Sequence, residues 1–208
     1  MQTRPRLGAI TLAASGLLFL AYPALRPDET KMDPATAMAS NQWILAHLLG
    51  VFAFILAGLG VAAVRDRVRE TRGAEAGRWA MITTWIGAGM TLPYYGAEIF
   101  GVHEMASRAI ADNNPALLDM VDSFRYHPAA VTTFAIGLAL LGAGGVLTAI
   151  AIGRSKLTGA WTGVVFAIGL ALYIPQYFTP MPVRIAHGAI IAIGAAWVAV
   201  AMWRGAKK

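Results

Sequence analysis

The chain has 208 residues, no cysteine, 57% hydrophobic side chains and only 13% charged ones, with a formal net charge of +6. Soluble domains carry about 25% charged residues, so this composition excludes a water-soluble globule and, being so apolar, a disordered chain. Without a thiol there is no disulfide framework, thiolate metal site, iron–sulfur cluster or cysteine nucleophile. The class that remains is an all-α, polytopic integral membrane protein.

A helix needs about 20 apolar residues to cross the hydrocarbon of a bilayer. Six stretches meet that demand: 7–25, 43–64, 79–100, 129–152, 160–178 and 183–203. They leave no room for a separate soluble domain, so residues 1–208 read as a single six-helix transmembrane bundle. The first stretch follows Arg4 and Arg6 as a signal peptide would. Its 19 uncharged residues exceed the usual core of a signal peptide, and it reads as a retained span. The longest connection, 101–128, contains Asn114-Pro115 followed by Leu117, Leu118, Val121 and Phe124 at helical spacing, with Asp119 and Asp122 between them. This pattern predicts a short amphipathic helix at the outer membrane face.

Basic residues set the orientation. With the N-terminus in the cytoplasm, the inner segments hold 12 of the 17 Lys and Arg, and the outer segments hold Arg26, Lys31, Arg108, Arg125 and Arg184. Positive residues gather in cytoplasmic loops, which places both termini in the cytoplasm. The same asymmetry makes the net charge a topology signal and not a nucleic-acid patch.

Ionisable groups inside spans are rare and costly. Here they are His47, Glu98 and His187, with Arg184 at an edge. At 1.5 Å per residue all three lie within roughly 3–6 Å of the outer boundary. His103 and His127 fall in the outer connection, and all six tyrosines lie in the outer layer. Tyr94 and Glu98 share a helix face. Tyr173, Gln176 and Tyr177 make a second polar stripe at the same depth. Pro93 and Pro175 accompany the two stripes, so both helices are expected to kink beside an outward-opening cavity. His47, Glu98 and His187 are expected to meet in one buried cluster, because partnering offsets three desolvation costs at one depth.

Several motifs fail. The stretch 58–63 fits G-x-G-x-x-A but lies within a span, where its glycines serve helix packing. His103-Glu104 opens H-E-x-x-H, but Ser107 stands where the second histidine belongs.

The runs Pro93-Tyr94-Tyr95-Gly96-Ala97-Glu98 and Arg184-Ile185-Ala186-His187-Gly188 resemble stretches of small, uncharacterised six-span membrane proteins of high-GC bacteria. The resemblance implies a bundle in the inner membrane and assigns no activity or ligand. Three functions remain open. One is a metal or b-type haem protein, with His47, His187, Glu98 and His127 as candidate metal ligands and Tyr94, Tyr173, Gln176 and Tyr177 lining the cofactor pocket. A second is a metal-free enzyme acting on a lipid or terpenoid, with Glu98 as general acid. The third is a non-catalytic carrier of a hydrophobic small molecule, or a subunit of a larger assembly.

Overall fold

The computed structural model describes residues 3–205, and every regular element among them is helical. The long helices are α1 (Thr3–Leu25), α3 (Asn41–Val68), α4 (Ala74–Gly96), α7 (Pro128–Ser155) and α10 (Met181–Gly205). Shorter ones are α2 (Pro34–Met38), α5 (His103–Ala111), α6 (Leu117–Arg125), α8 (Val164–Ala171) and α9 (Tyr173–Gln176). Among the described residues four stretches are long and apolar enough to cross a membrane: Arg6–Leu25, Asn41–Val68, Pro128–Ser155 and Met181–Arg204. They match four of the six predicted spans. The other two correspond to α4 and to the α8–α9 pair.

The principal helices form a ring in chain order. α1 packs on α3, α3 on α4, α4 on α7, α7 on α8, α8 on α10, and α10 closes the ring on α1. Small residues permit the close crossings. In α4 and α7 the contact residues recur at seven-residue intervals. A Cβ on Gly137 would come 2.6 Å from the Thr91 hydroxyl oxygen, and one on Gly144 would fall on that of Thr84. Between α1 and α3, the buried Ser15 hydroxyl donates to the Ala53 carbonyl at 2.8 Å. Gly58 and Gly60 stand mid-helix in α3 against Trp85 and Leu12, which fits their reading as packing glycines.

Helix ends follow local chemistry. Ser40 caps α3, accepting from the Trp43 backbone N–H. Arg65 and Arg67 occupy the last turn of α3, where cations favour the helix dipole. Pro175 cannot donate to the Ala171 carbonyl, and the fifth predicted span accordingly breaks at Leu172 into α8 and α9.

One end of the bundle carries a cap that the spans alone do not foretell. After α4 the chain continues as a π-helical turn, Ala97–Val102, and then directly into α5. A left-handed residue, Asn113 at φ 47°, turns it back into α6. The amphipathic helix expected in the 101–128 connection is therefore present as α6, beginning two residues later than a cap at Asn114 would place it. Its apolar side does not lie free. Val121 joins Met38, Trp43, Val102 and Ala106 in a small separate core. In α2, Asp33 caps the helix, and bonds from the Thr36 backbone N–H and hydroxyl hold its carboxyl below the ordinary value.

Candidate functional site

A cavity of about 430 Å³ lies under this cap. One wall is a single face of α7: Val131, Phe134, Ala135 and Leu138, at i, i+3, i+4 and i+7. Facing it are Tyr22, His47, Tyr94, Tyr95 and Tyr177, and charged groups ring it: Arg26, Glu98, Arg125 and Arg184. Tyr126, Val131 and Phe178 are the exposed lining residues and mark the mouth. A second, much smaller cavity of about 20 Å³ adjoins it, lined among others by Tyr22, Arg26, Tyr173, Gln176, Arg184 and His187. That volume is enough for one water. At the opposite end of the bundle, Glu70–Arg72 and Arg154–Lys156 line only a shallow basin.

The tyrosines form a hydroxyl chain. Tyr95 Oη lies 3.2 Å from Tyr177 Oη and 3.4 Å from Tyr173 Oη. Phe54 packs edge-on against Tyr95 and at a tilt against Tyr173. Tyr94 turns the other way and stacks on Phe134, with ring centroids 4.3 Å apart.

Glu98 sits in the π-helical turn, an irregularity that re-aims side chains and is frequent at functional sites. Its carboxylate accepts two bonds from Arg125, Nε to Oε1 at 2.7 Å and Nη2 to Oε2 at 2.8 Å. Both side chains are largely buried. Glu29 extends the network, 3.5 Å from Arg125 and 2.8 Å from Arg26. The buried Trp43 ring holds it together. Its Nε1–H donates to the Glu98 carbonyl at 3.0 Å, and its ring lies 4.4 Å from the Arg26 guanidinium and 5.7 Å from that of Arg125.

These positions correct the expected cluster. Glu98 meets Arg125 and neither histidine. His47 Nδ1 lies 2.8 Å from the Trp43 carbonyl of its own helix. His187 Nε2 lies 2.7 Å from the Gly169 carbonyl of α8. A carbonyl can only accept, so each of those ring nitrogens carries the proton. For His47 this leaves Nε2 as a lone-pair acceptor in a residue that lines the large cavity. His127 is an exposed helix cap, accepting from the Ala129 N–H at 3.3 Å. His103 binds the Met38 carbonyl.

Among the described residues no three His, Asp or Glu side chains converge as metal ligands. His47 and His187 line different cavities, and each spends one ring nitrogen on a backbone carbonyl. The Glu98 carboxylate spends both its oxygens on the two-pronged bond with Arg125. Of the predicted pocket residues, Tyr94, Glu98 and Tyr177 line the large cavity, and Tyr173 and Gln176 line the small one. The reading from sequence missed Tyr22, Tyr95, Arg26, Arg125 and Phe134. Tyr95 had a signal, standing three residues before Glu98 on the same helix.

Compared with family models, with curated proteins and with solved structures, the chain matches none.

Proposed function

We propose that the chain is a six-span protein of a bacterial inner membrane, with both termini cytoplasmic, that holds a hydrophobic small molecule in the cavity under its outward-facing cap. The cavity carries this reading. Its size falls in the range of ligand pockets, one wall is apolar, and the other presents hydroxyls and an imidazole acceptor to orient a polar end. Six-fold spanning is supported by the outward faces of the ring. Leu17, Phe52, Ile86, Ile136, Ile168 and Ile193, one from each of its six helices, are each 45–64% exposed. An apolar belt on that scale belongs in lipid.

Reporter fusions test the orientation. Fusions after Asp33 and after Asn113 are expected to read extracytoplasmic, and one after Glu75 cytoplasmic. The reverse at any of the three overturns it. Photolabelling tests the cavity. A diazirine-bearing dodecanol, irradiated with the purified protein in nanodiscs, is expected to label peptides containing Phe134, Leu138 and Ile174. Leu138→Trp fills the cavity and is expected to remove most of that labelling. Label spread evenly over the lipid-facing side chains, unchanged by Leu138→Trp, would refute ligand binding there.

A further inference from the structure

The charges around the cavity do not balance. Three guanidiniums line it, those of Arg26, Arg125 and Arg184, against one carboxylate, Glu98. Glu29 supplies a second carboxylate, shared between Arg26 and Arg125. Among the described residues no carboxylate pairs with Arg184; its bonds go to carbonyls. Its Nε and Nη2 donate to the Thr179 and Tyr177 carbonyls at 2.8 and 2.7 Å. Those bonds tie down the turn after α9, but carbonyl dipoles leave the positive charge uncancelled. A partly buried cation among apolar side chains is costly unless an anion meets it.

Arg26 adds an independent sign. Its Nη2 is engaged by Glu29, yet its Nε–H is buried and has no acceptor among the described residues. Buried donors are rarely left so. Arg26 and Arg184 line both the large cavity and the small one beside it, so the orphan donor and the unbalanced cation border the same space.

We infer that the cavity takes an anionic amphiphile, its single acid group held by Arg184 and Arg26 and its apolar chain laid along the α7 wall. This rests on the cavity being a ligand site, as proposed above. The acid group is a carboxylate or a phosphate, the first that of a free fatty acid and the second that of a membrane lipid headgroup.

Competition against the diazirine-dodecanol label decides it, with dodecanoate, dodecyl phosphate and dodecanol as competitors of equal chain length. Charge-assisted bonds from a guanidinium are expected to make one anion or both compete about tenfold more strongly than dodecanol. Stronger competition by dodecanoate identifies the free acid as the source, and stronger competition by dodecyl phosphate the lipid headgroup. Arg184→Gln is expected to bring all three competitors within about twofold of one another. Arg184→Lys keeps the charge, loses the fork, and should keep part of the preference. It also shows whether the loss in Arg184→Gln comes from charge or from the turn that Arg184 ties. Equal competition by all three in the wild type overturns the anion site and leaves the cavity reading standing. Absence of cavity labelling by the dodecanol probe, with no competition by any of the three, overturns both.

Discussion

Arg125→Met is expected to destabilise the purified protein more than any other single change in the capped end. The substitution leaves the almost fully buried Glu98 carboxylate without the cation that hydrogen-bonds it. Removing one member of a buried ion pair costs about 3–5 kcal/mol, most of it the desolvation of the charge left behind. The reciprocal change, Glu98→Gln, should be milder. Arg125 would still have Glu29 at 3.5 Å and the face of Trp43, and a glutamine carbonyl can still accept one of its bonds. In the double variant no isolated carboxylate remains, so the loss should fall well below the sum of the two. Thermal unfolding of the four proteins in one detergent gives the cycle. Equal and additive losses for the two single changes would mean that the pair is not coupled.

The same pair shows where sequence reasoning stops. The long apolar runs were legible because a bilayer imposes a length on any helix that crosses it, and four of them are single long helices. That His47, Glu98 and His187 would be buried was legible too, and all three are. Their partners were not. Near a helix end His47 can reach the carbonyl four residues back, a local bond that competes with any tertiary cluster. His187 reaches a carbonyl on α8 because Gly169 has no side chain and lets α10 come close there. Arg125 stands 27 residues beyond Glu98 and counted only as a loop charge. What brings it back is the reversal between α5 and α6, which depends on one left-handed residue, Asn113. No residue pattern marks the π-helical turn that aims Glu98.

Gly194→Ala is expected to be the second severe change. In α10, Gly194 crosses α8 so closely that an added Cβ would fall on the Phe166 backbone nitrogen, 2.6 Å from its Cα and 2.7 Å from the Val165 carbonyl carbon. The obstacle is main chain, so no rotamer change relieves it and the helices must separate. Overpacking of this kind costs about 1–3 kcal/mol, and more where backbone must move. The site amplifies the loss. α8 has only eight residues and bridges α7 to α10, so parting α8 from α10 opens the ring beside the wall that α9 and Tyr177 supply to the cavity. Gly89→Ala serves as the control, since a Cβ there meets nothing within 4 Å. Thermal midpoints of the two variants in the same detergent should differ widely, with Gly89→Ala at or above the wild type and Gly194→Ala far below it. A Gly194→Ala protein as stable as Gly89→Ala would show that α8 and α10 do not cross at Phe166, and the closed ring would have to be abandoned.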